Sequence, residues 1–166
     1  MTKSPCRAYI DIETTALDPD AGELTVVGIH LEQDGQERLV QLYEDTLTKD
    51  NLLAALAGTS ILYSYNGREF DLPFIVAKLG VDLASIFSHR DLMHHCWHRN
   101  LYGGQKKVEK KLGISRETAG MNGADAVELW DDYRSKGNAD ALQTLLLYNA
   151  EDVNNLAHIR RKLGVD

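Results

Sequence analysis

Residues 7–13, RAYIDIE, decide how this chain is read: the run is β-branched and aromatic, with acids at every second place, and it stops at the Thr-rich stretch TTALDPD. Successive side chains on a strand point to opposite faces, so Asp11 and Glu13 project side by side from the same face. Like charges so placed repel and raise each other's pKa unless a cation sits between them. Tyr9, Ile10 and Ile12 give the strand little exposed character, and unpaired acids in such a strand are costly. On its own Asp-x-Glu is a weak signal, because acids make up 25 of the 166 residues and a solvent-facing strand edge gives the same pattern.

Outward from this strand, ELTVVGIHLEQ and QERLVQLYE flank the turn pair Asp34-Gly35, which predicts a hairpin and an antiparallel meander of three strands. Thr48 caps a short helix in TKDNLLAALA, with Leu52, Leu53 and Leu56 on one side and Gly58 closing it. SILYSYN is a nearly continuous apolar run ended by Asn66-Gly67, a fourth strand that pairs in parallel because a helix precedes it. From Asp71, DLPFIVAKLG carries an N-cap acid, a Pro in the first turn and a terminal Gly. Residues 81–102 give no clear assignment, and helices follow at 104–112, at 124–136 and from Asn138 to about Leu163. The expected fold is α/β, a mixed central sheet of three antiparallel strands plus parallel strands flanked by helices, in a single domain over residues 1–166.

Composition sets the class: 43% hydrophobic and 26% charged residues are those of an ordinary soluble globular chain. No apolar run is long enough to span a bilayer and the first residues lack a secretory apolar stretch, so no membrane association and a cytoplasmic location are expected. Cys6 and Cys96 form no CxxC pair and are read as free thiols of a reducing compartment. A formal charge of −7 runs against a nucleic-acid partner, but two bound divalent cations would add four positive charges where substrate sits, so the acidity counts only mildly.

Three further residues extend the acid pair. Asp71 lies where the fourth strand gives way to its helix, a place that commonly carries function in open α/β sheets, although helix capping alone would explain it. Tyr148 and Asp152, four residues apart in YNAED, point the same way from the last helix; the plainer account is an apolar-stripe tyrosine and a solvated acid. In order along the chain, Asp-x-Glu-Thr, Asn-x-x-x-Phe-Asp and Tyr-x-x-x-Asp resemble the three exonuclease motifs of the DEDD superfamily, tyrosine branch. IDIETT, HRDLMHHC, KKVEKKLGI and GADAVELWDDY before LLYNAEDV are similar to the YprB-type ribonuclease-H-like domain over roughly residues 8–160.

The resemblance implies a ribonuclease-H-like fold and a 3′–5′ exonuclease that hydrolyses single-stranded DNA or RNA from a free 3′ end. It makes Asp11, Glu13, Asp71 and Asp152 ligands of two Mg²⁺ or Mn²⁺ ions, with Asp11 bridging both, and gives Tyr148 the task of orienting the attacking water. Phenol has an unperturbed pKa near ~10, which makes Tyr148 a poor general base at neutral pH. Lys106, Lys107, Lys110 and Lys111 place two pairs on one helical face, able to meet phosphates or simply to face solvent. Thr14, Asn66 and Phe70 lie beside the acids as candidate contacts to the terminal nucleotide, Phe70 by stacking. His89, His94, His95, Cys96 and His98 match no common zinc spacing and are read as structural. The alternatives are a ribonuclease-H-like endonuclease or junction-cleaving nuclease, and a non-catalytic nucleic-acid-binding module.

Overall fold

A computed structural model describes residues 4–166. Five strands form one sheet in the order β3-β2-β1-β4-β5, with β1 (Cys6–Thr14) in the middle. β1 runs antiparallel to β2 (Leu24–Gln33), and β2 antiparallel to β3 (Gln36–Tyr43). On its other side β1 pairs in parallel with β4 (Thr59–Ser64), which pairs in parallel with β5 (Ser88–Asp91). The β2–β3 turn puts Asp34 and Gly35 at φ 52° and 77°, the two positive values that a tight two-residue hairpin of matching twist requires. This is the ribonuclease-H-like α/β arrangement, with the first strand central as expected.

Among the described residues seven α-helices accompany the sheet: α1 (Lys49–Ala55), α2 (Asp71–Leu79), α3 (Leu83–Ile86), α4 (Leu92–Trp97), α5 (Gln105–Lys111), α6 (Gly123–Lys136) and α7 (Ala139–Leu163). The alternation of β1 sorts its side chains. Ala8, Ile10 and Ile12 join Leu52 and Leu56 of α1 and Leu72, Phe74 and Ile75 of α2 in one core. Tyr9 faces the other way, packed with Tyr63, Leu92, Val153 and Leu156. Each such buried aliphatic side chain contributes ~1.5–3 kcal/mol over leaving it in water. Asp11 and Glu13 share the parity of Tyr9, so the twofold period of one strand carries them toward α7, the element that holds Tyr148 and Asp152.

α7 is 25 residues long, its start capped by the Asn138 side chain accepting from Ala141 N at 3.2 Å and its end by Gly164 in the left-handed region. The segment 81–102 resolves into α3, β5 and α4, with Asp82 and Asp91 as side-chain N-caps of the two helices. One local expectation is corrected. Asp71 is not the N-cap of its helix: Phe70 holds that position without a side-chain bond, and Asp71 is the first helical residue, turned toward β1. Both cysteines are free, as read from the sequence. Among the described residues no helix is long and apolar enough to cross a membrane.

Candidate active site

Carboxylate oxygens of Asp11, Glu13 and Asp152 all lie within 4.8 Å of one another, so strand alternation and the helical spacing of α7 bring together acids 141 positions apart in the chain. Glu13 and Asp152 are buried and Asp11 is half-buried at the floor of a cleft. Asp71 stands on the wall of that cleft, its Oδ2 accepting from the backbone N of Ile12 at 3.1 Å, so the fourth acid is tied to the strand between the first two.

Burial, then the charges of Asp152, Glu13 and Asp71, push Asp11 well above the carboxylate range. Glu13 is raised by burial and by Asp152. Burial lifts Asp71 to about 7 despite the bond from Ile12. Asp152 is raised by burial and restrained by Arg116 and Lys106. Oε1 of Glu13 is buried without any hydrogen-bond partner. A group of hard oxygen donors that repel one another and include an orphaned buried oxygen fits a divalent cation.

Tyr148 is buried beside the acids and accepts from Lys106 Nζ at 2.6 Å, the ammonium also lying 4.6 Å from the ring centre. Burial and the neighbouring carboxylates raise the phenol further above its ordinary value, so its proton stays on at neutral pH. Lys106 and Lys107 line the acid cleft. Lys110 and Lys111 do not: Lys110 borders a separate hollow and Lys111 donates to the carbonyl of Tyr102 at 3.3 Å.

The cleft, about 720 Å³, is walled by Asn66, Phe70 and Asp71 on one side and by Gly103 to Lys107 on another. A second hollow of about 490 Å³ meets it at Asp11, Phe70 and Asp152 and holds Thr14 and Tyr148. Phe70 therefore stands between two hollows that share the acid floor. Asn66 adopts φ 59°, which asparagine tolerates better than most residues, and its N donates to Asp91 Oδ1 at 2.8 Å.

Three supporting residues escaped the sequence reading. Asn149, fully buried, donates from Nδ2 to the Oδ2 and backbone O of Asp11 at 3.2 and 3.3 Å, and its own Oδ1 accepts from Gln41 at 3.0 Å. Arg116 spans Asp152 and Glu109, the latter 1% exposed. Asn149 sits next to Tyr148 inside the third motif; Arg116 lies in a loop and Glu109 on the buried side of a lysine-rich helix, with no pattern to mark either.

Among the described residues His94, His95, Cys96 and His98 form no metal-holding group, and His89 bonds Ser64 Oγ at 2.8 Å. His30, Glu32 and Glu37 do converge elsewhere on the face that α7 covers, His30 being the cross-strand partner of Tyr9. Arg160 and Arg161 already pair with both glutamates there, so the charge is balanced without an ion.

In comparison with known proteins, NrnC of Brucella melitensis with bound Mg²⁺ is 24% identical with a TM-score of 0.62, covering 95% of this chain and 71% of that one. The same protein bound to pGG is 23% identical, with TM-score 0.62 and coverage of 95% and 71%. A family B DNA polymerase from Pyrobaculum calidifontis has TM-score 0.71 at 15% identity, covering 96% of this chain and 24% of the polymerase, so this chain spans about a quarter of that protein. At these identities the likeness is one of fold. No curated protein sequence matches. The profile of the RNase_H superfamily matches residues 8–164, and the chain belongs to that superfamily.

Proposed function

We propose that this protein is a metal-dependent 3′–5′ exonuclease of the tyrosine branch of the DEDD group, of YprB type, hydrolysing single-stranded nucleic acid. One observation carries the reading: three carboxylates converge within 4.8 Å on the floor of an open cleft, and one of their buried oxygens has no protein partner. Asp11, Glu13 and Asp152 would hold divalent cations, Mg²⁺ or Mn²⁺, with Asp71 completing the set from the cleft wall. Such cations, when bound, lower the pKa of water and neutralise charge on a phosphodiester in an in-line displacement. NrnC structures of the same fold hold Mg²⁺ in one case and pGG in another, which agrees with this reading.

The chain's own groups supply orientation. Lys106 fixes the Tyr148 hydroxyl by donating to its oxygen, which leaves the phenolic proton free to point at water or a phosphate oxygen. Because burial keeps that proton in place, Tyr148 orients and donates and does not act as a base. Asn149 holds the Asp11 carboxylate, and Phe70 is positioned to stack on the terminal base. Lys106 and Lys107 offer positive charge to the phosphates of an otherwise acidic chain.

A time course on linear 5′-labelled and on circular single strands, DNA and RNA, with Mn²⁺ present, tests the proposal. Expected is a ladder shortening one nucleotide at a time while circles stay intact, with activity falling as salt is added. Cut circles would move the assignment to an endonuclease.

A further inference from the structure

We propose that the indole of Trp97 is a stacking platform for a second nucleobase of a bound single strand, away from the base at Phe70. The proposal rests on the nuclease reading and adds a contact outside the acid cluster that sets preference for strands over mononucleotides.

Trp97 is the last residue of α4 and remains 44% exposed, while Leu92 and Cys96 of the same short helix are fully buried. A helix that already buries its apolar side has no packing need for a tryptophan on its open side, where the ring forgoes the large burial that aromatic side chains usually obtain. The indole borders the same cleft as Asp11 and Asp152, next to Met93. Another wall of that cleft carries Lys106 and Lys107. A flat apolar ring and ammonium groups lining one cleft with the acid floor match a single strand in chemistry: ring for base, ammonium for phosphate. A peptide or lipid would have no use for the acid floor.

The platform is held in advance. The carboxylate of Asp91, 3% exposed, accepts from Met93 N at 3.1 Å, starting α4, and from Asn66 N at 2.8 Å and Arg68 N at 3.3 Å. One buried side chain thus fixes the helix that bears Trp97 to the turn that bears Asn66. Beyond the helix, Leu101 N donates to Cys96 O at 2.9 Å and Arg99 reaches the carbonyl of Leu163 at 2.8 Å, so the chain after Trp97 is tied to α7. The ring of His94 meets the indole edge-on, centroids 5.1 Å apart at 63°. A base meeting Trp97 encounters a surface whose ordering is already complete, which favours binding.

Two substrates separate this contact from the hydrolytic site: a single-stranded octathymidylate, and the p-nitrophenyl ester of thymidine 5′-monophosphate, which has one base. Expected for Trp97→Ala is a loss in kcat/KM at least ~10-fold greater on the octamer than on the ester, mainly in KM, with Trp97→Phe recovering most of it. The chain has two tryptophans, and Trp130 is buried in another cluster, so binding also has a direct signal. In chelator the octamer should quench wild-type emission and leave that of Trp97→Phe unchanged. Equal losses on both substrates, or quenching that persists in Trp97→Phe, overturn the proposal. If the wild type hydrolyses neither substrate, the nuclease reading fails, and the quenching experiment alone still decides whether Trp97 meets the strand.

Discussion

Arg116 donates from Nη2 to Oδ1 of Asp152 at 2.5 Å while its Nε and Nη2 reach the two carboxylate oxygens of Glu109 at 2.5 and 2.7 Å. All three side chains are under 10% exposed, so one buried guanidinium compensates two buried carboxylates. Removing one member of such a group strands the remaining charges, at ~3–5 kcal/mol. Arg116→Met should therefore lower the unfolding free energy by about that amount in chelator, and by less with Mn²⁺, which can take over the compensation of Asp152. Denaturant melts with and without Mn²⁺ measure this; an unchanged midpoint in chelator contradicts it.

The acid cluster also sets a pH dependence. Burial pushes Asp11, Glu13, Asp71 and Asp152 all upward from their ordinary values in the metal-free protein, Asp71 from 3.8 to about 7. The folded chain thus keeps protons that the unfolded chain releases. The associated stability is fully present below the unfolded value and is lost as pH rises through the folded one. In chelator the melting temperature should fall between about pH 5 and 7.5, and saturating Mn²⁺ should remove most of the fall. Asp11→Asn should flatten the slope and raise the melting temperature at the upper end by relieving repulsion. A wild-type melting temperature constant across this window in chelator contradicts the electrostatic picture.

Tyr148→Phe removes the hydroxyl that Lys106 holds at 2.6 Å but none of the carboxylates. A loss of ~10- to 1,000-fold in kcat is expected with nearly unchanged Mn²⁺ affinity, whereas Asp152→Ala should damage both. The limbs of the pH–rate profile should stay in place, since a buried protonated phenol contributes no titration near neutrality. Calorimetric Mn²⁺ titration beside steady-state kinetics separates the two variants, and a large loss of metal binding in Tyr148→Phe would refute the role given to it.

Much of this was legible beforehand, for identifiable reasons. The period of two puts Asp11 and Glu13 on one face of a strand with little exposed character, and a spacing of four puts Tyr148 and Asp152 on one face of a helix. Each pair alone also fits a plainer reading, and the order of the three motifs is what singles these residues out together with Asp71. The hairpin at Asp34-Gly35 follows from turn chemistry, and the long helices of the second half, 14 and 25 residues, from apolar periods sustained over several turns. What stayed hidden is short or non-local. β5 has four residues and α3 four, too few for any period to show. Asp71 looked like a cap because Leu-Pro follows it, and its true partner is Ile12, 59 positions away. Arg116 acts through Glu109 and Asp152, a relation fixed by the path of a loop and not by spacing.

Gly28 pairs with Asp11 across β1 and β2, and a Cβ built there would lie 2.2 Å from Oδ1 of Asn149. Asn149 is fully buried and in turn holds the Asp11 carboxylate, so it has little room to retreat. Gly28→Ala should destabilise the fold by ~1–3 kcal/mol and reduce activity by shifting Asp11. Asn149→Ala should itself lower activity, yet Gly28→Ala added to it should do little further harm to stability. A double-mutant cycle on unfolding free energies measures the coupling, and simple additivity of the two changes would be inconsistent with the contact.

The most direct measurement is hydrolysis of a 5′-labelled linear single strand by wild type and by Asp11→Asn, each in Mn²⁺ and in excess chelator, with folding of both proteins verified by their melts. Asp11 lies at the meeting point of both hollows and is the acid pushed upward by all three of the others. Expected is cleavage by the wild type in Mn²⁺ alone, and none by a well-folded Asp11→Asn in either condition. Wild-type cleavage that persists in chelator, or undiminished cleavage by Asp11→Asn, would contradict the assignment of this carboxylate cluster as a metal-dependent catalytic centre.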